Sequence, residues 1–359
     1  MLAEMEAAGW DLFLTANART IYYFSAAFQP EDSPGIFLLW ADGSTALLSA
    51  VDAPARADHP ARAEHLEKIE TYSLERCITH PFQEATGQLA PLLRQRPVRV
   101  CGVERSRTPG LFEELLSGST IADATATVLR LRKRKDEDEI DEIRQSLSYC
   151  ATAYRAAREV IVPGATELDV YHAMHGAIMA EAGTTVLFPG DFACGQRSVR
   201  GGGAPTRYRL QTGDLYPLDI FPAPHYYFGD TCRTFCVGPA TDEQIQAFQT
   251  VRQSIRIGEA AIRPGVSARH VYAEVKAFLD SRPESESSLW HHVGHGIGHH
   301  GHEAPRIIPG SEDTFEVGDV FTLEPGIYRP ALGGGIRLED NYVLREDGIE
   351  NLFDFEMEL

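Results

Sequence analysis

Apolar positions along the chain fall into two textures. Through the first third they form short runs of strand length, DLFLT (11 to 15), GIFLLW (35 to 40), TALLSA (45 to 50) and RVCGVE (99 to 104), interleaved with helix-like stretches. GIFLLW and TALLSA are joined by Ala41-Asp42-Gly43-Ser44, whose Asp-Gly step signals a hairpin, and the alternation as a whole predicts an α/β fold. Around Leu129 the texture changes to LRLRKRKDEDEIDEIRQS, a charge-dense run that leads into a long amphipathic helix predicted through about Val160. The change places a domain boundary there, dividing the chain into residues 1–128 and 129–359.

Beyond that boundary the pattern repeats. Pro163 to Tyr171 and Pro264 to Tyr272 share P-G-x-[ST]-x-x-x-V-Y at an offset of 101, each reading as a turn, a hydroxyl N-cap and an amphipathic helix. Further on, Gly213-Asp214 precedes Asp219 as Gly318-Asp319 precedes Glu324, at an offset of 105. Two strands related by an internal duplication would aim Asp219 and Glu324 at one another across a pseudo-twofold axis.

Composition narrows the classes. With 52 acidic and 33 basic side chains the net charge is −19, which repels a phosphate backbone and argues against nucleic acid as a partner. No apolar run approaches the roughly 18 residues of a membrane span, and the opening MLAEMEAAGWDL lacks a basic leader, so a cytoplasmic location is expected. The six cysteines show no C-x-x-C spacing and read as reduced thiols.

The chemistry concentrates in the second half. Asp230 follows Asp219 across a segment containing Pro222 and Pro224, and Glu339 follows Glu324 across a Gly- and Pro-rich excursion, so two hairpins would bring four carboxylates together. Four such groups cannot all stay ionised without protons, a basic partner or metal ions. HHVGHGIGHHGH (291 to 302) supplies six histidines and four glycines in twelve positions. Carboxylates with an imidazole suit Mn²⁺, Co²⁺, Fe²⁺ or Zn²⁺. His292, His299 and His300 are expected at the surface.

Asp219, Asp230, His295 in GHGIG, Glu324 in TLEPGIY and Glu339 in GIRLED resemble the five metal ligands of the pita-bread metallopeptidases, a family that includes aminopeptidase P, prolidase, creatinase and methionine aminopeptidase. The spacing G-H-G-I-G-x-x-x-H-E-x-P, from Gly294 through His302, Glu303 and Pro305, carries the likeness, and residues 1–128 resemble the creatinase-type N-terminal domain that methionine aminopeptidase lacks. The resemblance implies an α/β (α+β) chain whose C-terminal part has the pita-bread fold with its internal pseudo-twofold repeat. It implies two divalent ions, manganese first and cobalt, zinc or iron as alternatives, with Asp219 on one, His295 and Glu324 on the other, and Asp230 and Glu339 bridging. It further implies that Glu324 shuttles a proton, His302 bonds the substrate near the scissile amide, His291 shapes a proline pocket, and Arg337 steadies substrate or site. The glycines would let a strand approach the ions. Hydrolysis of Xaa-Pro bonds in short peptides, by a prolidase-like dipeptidase or an aminopeptidase P, follows, along with a homodimer.

The chain departs from the family pattern at one substrate contact. The position that aligns with a usual histidine is Gly202, the usual asparagine is Arg197, and the first hairpin carries Phe221 and Tyr226-Tyr227 where other residues are common. His225 could replace the imidazole if the hairpin folds inward, or Arg200 could grip a substrate carboxylate. The missing histidine leaves two alternatives open: a non-peptide amide as substrate, or a binding protein without catalysis.

Overall fold

A computed structural model of the chain describes every residue except 30, 32, 51–61 and 70–80. It divides into two compact units, Met1–Arg132 and Lys133–Leu359. No described helix is long and apolar enough to cross a membrane. Five cysteines are free thiols, and Cys77 lies outside the described residues.

The first unit holds a six-stranded sheet ordered β4-β3-β2-β1-β5-β6, built from β1 (Leu12–Thr15), β2 (Gly35–Trp40), β3 (Thr45–Ser49), β4 (His65–Lys68), β5 (Val100–Val103) and β6 (Thr120–Asp123). Around it run α1 (Leu2–Ala8), α2 (Ala18–Ser25), α3 (Pro81–Arg94), α4 (Leu111–Glu114) and α5 (Thr125–Lys133). The central strands β1, β2, β3 and β5 are mostly apolar at successive positions because both faces are covered, whereas the edge strands β4 and β6 are largely exposed. Leu12, Leu14, Ile36, Leu38 and Leu48 pack with Leu89 and Phe112, while Phe13, Phe37, Leu39 and Leu47 pack with Met5, Ile21 and Val128. The hairpin expected at Asp42-Gly43 forms: β2 and β3 are antiparallel, Gly43 sits at φ 89°, and Asp42 accepts from the Ser44 amide at 3.0 Å.

The charged run leads into a long helix ending at Val160, as expected, but not without a break. It is interrupted after α5, where Arg134 bridges to Asp319 and the Lys135 amide donates to the Gly318 carbonyl at 2.9 Å. Asp136 and Glu139 then form a capping box that starts α6 (Glu137–Val160). The backbone at 134 and 135 is engaged by Gly318 and Asp319, just ahead of a strand, and an acidic N-cap at Asp136 restarts the helix. Periodicity alone does not register such a break.

In the second unit the duplication is visible as repeated hydrogen bonds. The Gly164 amide donates to Leu210 O and the Gly265 amide to Phe315 O, both at 2.8 Å. Thr166 and Ser267 N-cap α7 (Glu167–Ala182) and α9 (Ala268–Asp280), and α7 packs on α6 as α9 packs on α8 (Asp242–Ala261). One copy carries the sheet β7-β8-β9, from β7 (Gly190–Asp191), β8 (Leu215–Ile220) and β9 (Thr231–Cys236). The other carries β11-β10-β12-β15-β16, from β10 (Gly294–Gly296), β11 (Glu303–Ile307), β12 (Val320–Leu323), β15 (Asp340–Arg345) and β16 (Gly348–Asn351). Between β12 and β15 the Gly- and Pro-rich excursion folds into a hairpin of its own, β13 (Gly326–Arg329) with β14 (Gly334–Arg337). Val251, Ile255, Val271 and Val275 of α8 and α9 bury against Phe321, Leu323 and Tyr342.

Among the bonds that stitch the two copies, two lie beside the acids. The Glu339 amide donates to Cys232 O at 3.0 Å, and the Thr234 hydroxyl donates to Arg337 O at 2.8 Å. That seam holds the end of β14 against β9, which sets Glu339 beside the acids of the first hairpin.

A second constraint fixes the histidine-rich loop. Lys135 and Glu303 form an ion pair at 2.9 Å with side chains 1% and 5% exposed, and Glu303 also accepts from the His300 amide at 3.0 Å. Removing one partner of a buried pair strands the other charge, so Lys135→Met is expected to lower stability by about 3 kcal/mol. Adding Glu303→Leu should recover most of the loss in a thermal melt. Additive losses would contradict a paired role.

Candidate metal centre

Each acidic residue of the cluster stands at or beside a strand end. Asp219 lies on β8, Asp230 just before β9, Glu324 just after β12, and Glu339 between β14 and β15. His295 is the middle residue of β10, whose flanking glycines allow close packing. A Cβ at Gly294 would strike the Thr322 carbonyl oxygen, and one at Gly296 the Ala304 carbonyl oxygen. The clearance is therefore needed against the neighbouring strand backbones, which differs from the expectation that glycine lets the strand approach an ion.

The structure brings the five residues together. Ligand atoms of Asp230, His295 and Glu339 lie within 4.8 Å of one another, as do those of Asp219, Glu324 and Glu339, so Glu339 is common to both groups. His295 Nε2 lies 3.0 Å from Glu324 Oε1 and 3.8 Å from Asp230 Oδ2. Its Nδ1 is 3.0 Å from the Gly296 carbonyl, which places a proton on Nδ1 and fixes the ring with Nε2 facing the acids. Arg233 supports the backbone behind them, donating to Glu339 O at 2.7 Å and pairing with Asp340 at 2.6 Å.

Electrostatics show what the cluster lacks. Burial pushes the Asp219 carboxyl up to about 6, with Arg337 opposing and Glu324 adding to the rise. Asp230 and Glu339 stand well above the ordinary carboxylate range, through burial first and neighbouring negative charge second. Glu324 is the exception, because His292 and His295 outweigh its burial and hold it well below. Asp219 Oδ1 and both oxygens of Glu339 are buried and accept no hydrogen bond from the described residues. Buried carboxylate oxygens without donors are costly unless a cation completes them. The donor set of oxygens with one imidazole fits hard or borderline divalent ions.

The remaining predicted residues line the same space. Arg337 pairs with Asp219 through Nη2 and donates to the Tyr328 hydroxyl at 3.2 Å, and that hydroxyl lies 2.8 Å from His291 Nε2. Burial drives the His291 ring down to about 4, so it is neutral at pH 7. The His302 ring lies tilted against that of His295, centroids 3.9 Å apart and planes at 36°, and His302 is exposed. A cleft of ≈ 360 Å³ opens over the site, bordered by Asp191, Arg200, Trp290, His291, His292 and Glu324.

Several expectations need correction. His292 is half-buried, with Nδ1 3.0 Å from Glu324 Oε1, and His299 is 1% exposed with its ring 4.1 Å from that of Tyr227, so neither is a surface residue. His300 is half-buried. His225 faces Glu142 at 3.2 Å and does not line the cleft, so it does not replace an imidazole there. Arg197 pairs with the fully buried Glu167 at the base of the repeat's turn. Tyr328 was legible in principle, lying within the quoted TLEPGIY segment, whereas Asp191 sits in no motif and emerges only from strand pairing.

Comparison with known proteins agrees with this geometry. The model of metallopeptidase family M24 matches residues 141–346. The Xaa-Pro dipeptidase of Pyrococcus furiosus is 30% identical over 261 residues, covering 72% of this chain and 74% of that protein. The probable dipeptidase PepE of Mycobacterium tuberculosis is 34% identical over 227 residues, 63% of this chain and 60% of that one. Among solved structures, the prolidase of Pyrococcus horikoshii superposes with a TM-score of 0.81 at 23% identity over 100% of this chain and 98% of that one, a likeness of fold. Dipeptidase PepE of Mycobacterium ulcerans superposes with a TM-score of 0.76 at 25% identity over 100% and 95%. With its acids and histidine gathered on a duplicated α/β scaffold and more than half its length matched, the chain belongs to metallopeptidase family M24 and has the pita-bread fold.

Proposed function

We propose that the protein hydrolyses the Xaa-Pro bond of short peptides, using two divalent ions held by Asp219, Asp230, His295, Glu324 and Glu339. The observation that carries this reading is the convergence of those five side chains around buried, donor-less carboxylate oxygens. Ions bound there would supply Lewis acidity and a water acidic enough to attack at neutral pH. Manganese is the proposed metal and a homodimer the proposed assembly, both on the family resemblance. Residues 1–128 are proposed as a creatinase-type N-terminal domain, and the cytoplasm as the location.

The chain's own groups would divide the remaining work. Glu324, anionic beside His292 and His295, accepts the proton of the attacking water and returns it to the departing proline nitrogen. His302 donates to the tetrahedral oxyanion, a contribution of about 3 kcal/mol for each such donor. The neutral His291 and Tyr328, tied to Arg337, wall the proline side. A bond to proline is a tertiary amide that lacks the usual N–H, so a dedicated apolar wall serves where a hydrogen bond is impossible. Arg200 at the cleft edge would take the substrate carboxylate, which favours a dipeptide. One observation favours a non-peptide amide instead: the place of the usual imidazole, at Gly202, is crowded by Asp191.

Hydrolysis of a Xaa-Pro dipeptide and a Xaa-Pro-Xaa tripeptide by Mn²⁺-loaded protein tests the reading. Cleavage of the dipeptide in preference, with kcat falling by about 10²–10⁴-fold in Glu324→Gln, is expected. Inertness toward both substrates in metal-loaded protein would exclude a Xaa-Pro peptidase.

Metal should also stabilise the fold in a pH-dependent way. For the metal-free protein, the raised Asp219 carboxyl gives full stability below its ordinary 3.8 and loses it as pH rises through about 6. Added Mn²⁺ offsets the charge that appears, so the rise in melting temperature on adding Mn²⁺ is expected to be larger at pH 8 than at pH 5. Equal rises at both values would contradict binding at these carboxylates.

A further inference from the structure

Residues Phe353 to Leu359, FDFEMEL, alternate apolar and acidic positions, the pattern of a half-buried strand, yet they belong to no strand of the structure. The alternation is realised through side chains instead. Phe353 is buried, Phe355, Met357 and Leu359 are half-buried, and Asp354, Glu356 and Glu358 are exposed. Glu356 and Glu358 face Arg158 of α6 at 3.3 and 3.8 Å. A cleft of ≈ 370 Å³, bordered by Ile255, Phe353, Phe355 and Met357, opens between the segment and α8.

Buried side chains connect this segment to the acids. Arg233, 1% exposed, donates through Nη2 to Phe355 O at 2.8 Å and through Nη1 to Glu339 O at 2.7 Å. The rings of Phe353 and Phe355 lie 4.9 and 6.0 Å from its guanidinium carbon. Tyr154 of α6 is fully buried, its ring 5.3 Å from that of Phe355 and 6.3 Å from that of Phe353. Its hydroxyl donates to Thr231 O at 2.7 Å and lies 3.2 Å from Leu218 O, the carbonyls next to Asp230 and Asp219. A further link runs from the Leu352 amide to Asn341 O at 2.8 Å, and Asn341 Nδ2 donates to Asp230 O.

A carbonyl held in place fixes the backbone on either side of it, and with it the direction of the neighbouring side chain. Asp219, Asp230 and Glu339 all stand where such carbonyls answer, through Arg233 and Tyr154, to the same pair of phenylalanines. Groups that orient metal ligands govern metal affinity although they never touch the ion. We propose that residues 353–359 form a strap whose docking on Arg233 and Tyr154 sets the metal affinity of the acids, with Phe353 and Phe355 as positioning residues. The inference rests on the reading of those acids as a metal site and extends it. A segment without ladder hydrogen bonds belongs to the parts of a fold that open locally, so ion binding and strap docking reinforce one another.

The test is the Mn²⁺ dissociation constant, read from the paramagnetic resonance of free Mn²⁺, in wild type, Phe353→Ala, Phe355→Ala and Phe355→Tyr, with Val271→Ala as a core comparison. Both alanine variants of the strap are expected to weaken binding about 10- to 100-fold. Phe355→Tyr, which keeps the ring, should bind as wild type does, and Val271→Ala should do so even where it lowers the melting temperature. In wild type, chymotryptic cleavage after Phe355 should slow on adding Mn²⁺, because the coupling is reciprocal. Unchanged affinity in the alanine variants, an equal loss in Val271→Ala, or cleavage indifferent to Mn²⁺ would overturn the strap while the metal site stands. Wild type that binds no Mn²⁺ would overturn both.

Discussion

Everything in the second unit answers to one constraint, the confinement of four carboxylates in a space from which water is largely excluded. Asp219, Asp230, Glu324 and Glu339 are each at most 7% exposed, and Arg337 is the principal guanidinium among them. Such a concentration of charge is tolerated only if protons or cations join it. The surrounding side chains are arranged for the second outcome: His295 aims Nε2 inward at the acids, Arg233 fastens the Glu339 carbonyl and the Asp340 side chain, and the tyrosine, histidine and arginine at the rim hold one another.

The duplicated topology explains how a chain assembles that concentration. Each copy contributes a helix pair, a turn tied by the same amide-to-carbonyl bond, and an antiparallel strand pair with an acid at or beside the end of each strand. Neither hairpin alone could close a site. The seam from Glu339 to Cys232 and from Arg337 to Thr234 joins them, and the third strand beside β8 adds Asp191 to the rim.

Much of this was legible in the sequence because duplication and ligand spacing are properties of order along the chain. The offsets of 101 and 105 reappear as matched hydrogen bonds, and the four acids and one imidazole picked out by resemblance lie together. What escaped depends on three-dimensional neighbours. The interruption at 134–136 arises from a strand contact with Asp319, remote in sequence, that no local pattern encodes. His292 and His299 looked like surface residues because a glycine-rich stretch offers no periodicity from which to read an inward face; one points at Glu324 and the other packs on Tyr227. Gly202 could be read as a loss from the family pattern, but its counterpart, Asp191, becomes apparent only when β7 is paired with β8.

The central claim is that this cluster is a two-ion site. Its most direct test is a crystal structure of the Mn²⁺-loaded protein with anomalous differences collected at the manganese edge. The account predicts two peaks, one beside Asp219 and one beside His295, with Glu339 between them. A single peak, or none in protein that retains its fold, would contradict it.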